Sequence, residues 1–176
     1  MGTRASLTAH GTGFAEGHHD NVRLARTDLS EAEVRQALRR AQALDFVERL
    51  PGGLHEEIRE RGANLSSGQR QLLSFARALA YDPRVLVMDE ATSSVDSETE
   101  SLVQPALDEL LKDRTALVIA HRHATIERAD RILVLSQGAL RESGTHAELL
   151  ARRGLYHRLF ELQYATAAEP ARQAAD

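Results

Sequence analysis

Apolar residues recur along the chain with two different spacings. Val34, Leu38 and Ala41 fall on one face of a 3.6-residue helix. Ser30 followed by Glu33 forms the capping-box pattern that opens such a helix, which is predicted to run until Pro51-Gly52-Gly53. A second helix is predicted from Ser66-Ser67-Gly68-Gln69, with Leu72, Leu73, Ala76 and Leu79 as its apolar stripe and Asp82-Pro83 as its stop. The spacing then changes. Residues 85–88 and 116–120 are solid apolar runs, the pattern of strands buried on both faces of a parallel sheet. Between them lies a helix over about 97–111, with Pro105 expected to kink it or start a new segment. Strand, helix, strand in that order predicts a crossover unit, and hence an α/β fold. Residues 132–135 and 140–142 read as two further strands that turn at Ser136-Gln137-Gly138, so that the sheet ends in a hairpin. Thr145 caps a helix through Leu150, and 155–162 supplies a last amphipathic one.

Composition narrows the function classes. The 176 residues carry 22 basic and 26 acidic side chains, a formal charge of -4. That balance provides no global basic field for nucleic acid or an anionic membrane. Cysteine is absent, which removes thiolate metal sites and cysteine nucleophiles together. The longest apolar runs fall far short of the roughly 20 residues that span a bilayer. Up to about His19 the chain is rich in Gly, Thr and His without periodicity and reads as irregular. His10, His18 and His19 read there as a solvated terminus rather than a metal site. Lys112 is the single lysine beside 21 arginines.

Three places carry candidate chemistry. The run 85–88 ends in Asp89-Glu90, and adjacent carboxylates at the carboxyl end of a buried strand are costly unless they meet a cation or a reacting water. Asp89 suits Mg2+, a hard ion that takes carboxylate and phosphate oxygens, and Glu90 suits polarising an attacking water. The second strand delivers His121 to the same edge, where an imidazole can bond a terminal phosphate. Ser66, Ser67, Gly68 and Gln69 put a hydroxyl and backbone N–H groups at a helix N-terminus, a setting that favours anions.

These residues carry a resemblance. Leu65-Ser66-Ser67-Gly68-Gln69 resembles the signature motif of ATP-binding-cassette (ABC) ATPases, and Val85-Leu86-Val87-Met88-Asp89-Glu90 resembles their Walker B strand. Ser93-Ser94-Val95-Asp96 is similar to the D-loop, His121 to the switch histidine, and Glu60-Arg61-Gly62 to the X-loop of exporters. The resemblance runs from about Asn21 to Gln163, through the Gly144-Thr145-His146 turn. It implies an incomplete P-loop NTPase (RecA-like) core with a mostly parallel sheet, plus a helical subdomain. The implied organisation is an irregular N-terminus over 1–21, a helical subdomain over 22–80 ending in the signature helix, a partial ATPase core over 81–165, and a loose tail over 166–176. It also implies ATP and Mg2+ as ligands and a head-to-tail dimer with a second nucleotide-binding domain. In such a dimer Ser66 and Gly68 touch the terminal phosphate bound on the partner, and Gln69 supports the loop. Asp89 holds the metal, Glu90 and His121 serve catalysis, and Asp96 couples the two sites. The implied function is ATP-driven solute export, at the cytoplasmic face of a membrane, through partner transmembrane domains and without nucleic acid.

The sequence departs from the family at one decisive place. A phosphate loop of the form G-x-x-G-x-G-K-[ST] holds ATP through backbone N–H groups and a lysine, and Lys112 sits between Leu111 and Asp113 instead. The upstream adenine-stacking aromatic is missing, and so is the loop glutamine, Gln36 being the first glutamine in the chain. The chain alone is therefore expected to bind Mg-ATP weakly, to be inactive as an ATPase, and to expose apolar strand faces. Two other roles fit the same motifs: a non-catalytic partner or gene remnant that lends the signature motif in trans, and a chromosome-maintenance or repair ATPase. The second of these calls for long heptad-patterned insertions, and the sequence has none.

Overall fold

The computed structural model describes residues 4–7, 17–23, 26, 28–59, 62–89, 97–120 and 123–162. They fall into two compact units, 1–119 and 120–176. Among the described residues no helix is long and apolar enough to cross a membrane.

The first unit is built around one helix. Its elements are β1 (Arg4–Leu7), α1 (His18–Arg23), α2 (Glu31–Arg40), α3 (Leu44–Glu48), a 3-10 turn (Gly53–His55), α4 (Ser67–Tyr81), β2 (Val85–Asp89), α5 (Ser97–Leu111) and β3 (Thr115–Ile119). Helix α4 packs against α1, α2, α5 and β1, and Leu72, Leu73, Phe75, Ala76 and Leu79 are all buried in the core it shares with Val34, Leu38, Leu86 and Leu107. The strands form a parallel sheet in the order β1-β2-β3, with Leu86 beside Ala116 and Met88 beside Val118. The α/β class and the parallel crossover from β2 through α5 to β3 follow the sequence pattern.

Several local expectations are corrected. Residues 1–19 are not irregular throughout, because Arg4–Leu7 pairs in parallel with the backbone of β2 from Val85 to Met88. The predicted helix from 31 to 50 is two helices, since Gln42 takes φ 56 and Ala43 N–H bonds back to Leu38 O at 2.8 Å, ending α2. Pro105 starts no new segment and lies within α5. Strand β2 is buried on one face only. Leu86 and Met88 point into the core, whereas Val87 is 40% exposed and, on β3, Leu117 and Ile119 are each 56% exposed. Among the described residues α4 and α5 cover the side of Leu86 and Met88, and Val87, Leu117 and Ile119 are exposed on the other side.

Of the N-terminal histidines, His10 lies outside the described residues and His18 departs from expectation. His18 is buried, its Nδ1–H donates to Glu56 O at 3.0 Å, and its ring meets Phe46 edge-on. Nε2 is buried and has no partner among the described residues. Burial holds this imidazole below its ordinary value, so the unfolded chain takes up the proton more readily than the folded one. The contribution of neutral His18 to stability is full above about pH 6.5 and falls as the pH drops through that value toward the lowered one. Urea unfolding at pH 7.5 and 5.5 should show a loss for the wild type that is smaller in His18→Leu. Equal losses in both would remove His18 as the cause.

The second unit contains α6 (His123–Glu127), β4 (Ile132–Ser136), β5 (Ala139–Gly144), α7 (His146–Ala151) and α8 (155–162). The predicted hairpin is present, but β4 and β5 form a two-stranded sheet of their own rather than an end to the parallel one. Gln137 and Gly138 at its tip take φ 51 and 73, the two positive values a tight type I′ turn requires. Val134, Leu149 and Tyr156 form its small core. Glu142 caps α8 by accepting from the N–H groups of Tyr156 and Leu155 at 3.1 and 2.6 Å, which holds its carboxyl below the usual range.

Candidate functional site

Three helices of this chain open with the same reciprocal cap. Ser30 and Glu33 open α2, Thr145 and Glu148 open α7, and Ser66 and Gln69 open α4. In α4, Ser66 Oγ accepts from Gln69 N–H at 3.2 Å and Gln69 Oε1 accepts from Ser66 N–H at 3.0 Å. Accepting that bond leaves the Ser66 hydroxyl proton available for donation.

Charge separates the three. The N3 residue is glutamate in α2 and α7 but glutamine in α4, whose first turn carries no acid. A glutamate there neutralises the partial positive charge of the helix end, whereas glutamine makes the same hydrogen bond and leaves that potential in place. Gly68 is buried at the second helical position. Helix α4 runs for 15 residues, long enough for its peptide dipoles to add. The four residues 66–69 therefore form one turn with a hydroxyl, backbone N–H groups and a positive potential, the donor set that suits a phosphate.

Asp89 occupies a different element. It ends β2 in register with Ile119 of β3, is exposed, and has no hydrogen-bond or ion-pair partner among the described residues. A free carboxylate at the carboxyl end of a parallel strand is where ligands of such sheets bind. One or two carboxylates with substrate phosphates and water suffice for Mg2+, so Asp89 fits that ion. Among the described residues no group of three or more acidic or histidine side chains forms a closed metal cage. Glu90, Asp96 and His121 lie outside the described residues, as do Glu60 and Arg61.

Sequence reasoning missed the supports of this turn. Arg70 Nη1 donates back to the carbonyls of Leu65 and Gly62 at 2.6 and 3.3 Å. At the other end of α4, buried Arg77 donates from Nε to Asn21 O at 2.8 Å and from Nη2 to Asn21 Oδ1 at 2.5 Å. Tyr81 OH donates to Arg23 O, and Arg26 reaches Ala80 O while stacking over the Tyr81 ring. A charged residue inside an otherwise apolar helix stripe, Arg77 between Ala76 and Ala78, was the signal available.

Known proteins resemble this chain over most of its length. The sequence model of the family described as "ABC transporter" matches residues 5–93, starting within β1. A probable multidrug resistance ABC transporter ATP-binding/permease protein, YheH of Bacillus subtilis, is 50% identical over 143 residues, covering 81% of this chain and 21% of its own. An ATP-dependent lipid A-core flippase of Chromobacterium violaceum is 52% identical over 144 residues, 82% of this chain and 25% of its own. Among solved structures, a bacterial Atm1-family ABC exporter with ATP bound superposes with a TM-score of 0.79 at 38% identity, over 90% of this chain and 28% of that one. The chain thus spans about a fifth to a quarter of the length of these curated relatives.

Proposed function

This chain belongs to the ABC transporter family, and we propose that it provides the signature-motif side of an ATP site in an exporter-type ATPase. Ser66 donates its hydroxyl, and the turn at Gly68 its backbone N–H groups, to the terminal phosphate of ATP held on a second nucleotide-binding domain. Gln69 braces that turn. On its own side Asp89 holds Mg2+, which when bound offsets phosphate charge, Glu90 orients the attacking water, His121 bonds the terminal phosphate, and Asp96 links the paired sites. In the whole assembly, ATP binding and hydrolysis drive solute export through transmembrane partners, with this domain at the cytoplasmic face.

The observation that carries the reading is the cap of α4, where glutamine replaces the glutamate of the other two boxes and keeps the helix end positive. A second reading rests on the sequence itself. Lys112, the single lysine, follows Leu111 at the end of α5 and belongs to no glycine-rich phosphate loop. In this reading the chain is a half-site or regulatory partner that lends residues 66–69 in trans to an intact domain.

Mixing separates the outcomes. The ATP-binding domain of an exporter relative is titrated with the full chain while its ATPase rate is followed. A change of several-fold that saturates near equal concentrations supports the half-site. A rate that stays constant at large excess contradicts it.

A further inference from the structure

Arg70 closes a bracket around the turn that leads into α4. Gly62 takes φ 69, its N–H bonds to Arg59 O at 2.8 Å, and Leu65 N–H bonds to Gly62 O at 2.9 Å. Asn64 ties the turn to the chain before it, accepting from Arg59 N–H and donating to Glu57 O, both at 3.0 Å. From the second turn of the helix, Arg70 Nη1 reaches back past the helix start to Leu65 O and Gly62 O. A cation next to the positive end of a helix dipole is electrostatically unfavourable, and those two carbonyls offset the cost through charge-assisted bonds. In α2 and α7 the corresponding first turns carry Glu31, Glu33 and Glu148. At α4 the guanidinium adds to the positive potential instead of cancelling it.

We propose that Arg70 is the positioning residue of the signature turn: its two carbonyl bonds lock residues 62–65 to the start of α4, so that the donors of residues 66–69 meet a terminal phosphate without rearrangement. This rests on the signature role proposed above. Pre-ordering of donors lowers the cost of binding, and Arg70 touches the loop rather than the ligand. Its loss therefore weakens binding without removing a group from the reaction.

Hydrogen exchange on the full chain tests the lock directly. Arg70→Met should raise exchange of the Leu65 amide by about tenfold, the loss of charge-assisted bonds, while amides over 72–79 keep their rates. Arg70→Lys, which keeps a cation in reach of one carbonyl, should recover part of the protection. In the mixing assay Arg70→Met should raise the ATP concentration for half-maximal effect by about tenfold and leave the maximal effect within about twofold, the signature of lost ground-state binding. Unchanged Leu65 exchange, or loss of protection throughout α4, overturns the proposal. If the wild-type chain leaves the partner's rate unaltered, the half-site reading fails, and the exchange result still decides whether Arg70 locks the turn.

Discussion

Gln69→Glu should leave the fold intact and remove the effect of this chain on a partner's ATP hydrolysis. The substitution restores the glutamate found in the caps of α2 and α7, where the box geometry is the same. The Ser66 N–H bond is retained, and a carboxylate at a helix N-terminus stabilises by about 0.3–1 kcal/mol. Thermal unfolding should therefore shift little or upward. A negative charge about 5 Å from a bound phosphate at an effective dielectric of about 20 costs about 3 kcal/mol, or about two orders of magnitude in ATP concentration. Few substitutions separate stability from function so cleanly. Equal ATP dependence for wild type and Gln69→Glu would show that the positive end of α4 does not meet the nucleotide.

The second large effect concerns the other end of α4. Asn21→Leu removes the Oδ1 acceptor of buried Arg77 and also the bond from Asn21 Nδ2 to Gly17 O at 3.1 Å. Burial makes the guanidinium harder to keep charged, yet it does not lose its proton. The substitution removes one charge-assisted bond of a buried cation, at a cost of about 2–3 kcal/mol. Arg77→Met removes the buried charge together with both of its bonds to Asn21. The double variant Asn21→Leu with Arg77→Met should be less destabilised than the sum of the singles by at least about 1 kcal/mol in urea unfolding. Additive single effects would show that the two side chains do not depend on each other.

What was legible in the sequence is what is decided locally. The caps at Ser30, Ser66 and Thr145 are read from four residues each and hold in the structure, because a capping box is a contact between near neighbours. The turn at Gln137-Gly138 is of the same kind. The break at Gln42 was not legible, since Ala41-Gln42-Ala43 carries no glycine or proline to mark a left-handed residue. Nor was β1, whose four residues become a strand through pairing with β2 81 positions away. The one-sided burial of β2 hid for a related reason. A solid run such as Val85-Leu86-Val87-Met88 looks the same whether or not a second layer covers it, and only the packing of α4 and α5 on one side reveals the difference. Tertiary burial likewise turned His18 from an apparent surface histidine into a core contact. At the candidate site the motif 66–69 was readable, but its supports Arg70 and Asn64 act through backbone carbonyls and amides, which no side-chain pattern displays.

If the N-terminal turn of α4 recognises the terminal phosphate of a nucleotide held by another domain, association of the two must depend on that phosphate. Sedimentation of the full chain with the ATP-binding domain of an exporter relative, in ATP and in ADP with hydrolysis blocked by chelating Mg2+, reads that dependence. A heterodimer that forms in ATP and is lost in ADP is the predicted result. Association that is equal in both nucleotides, or absent in both, would contradict it.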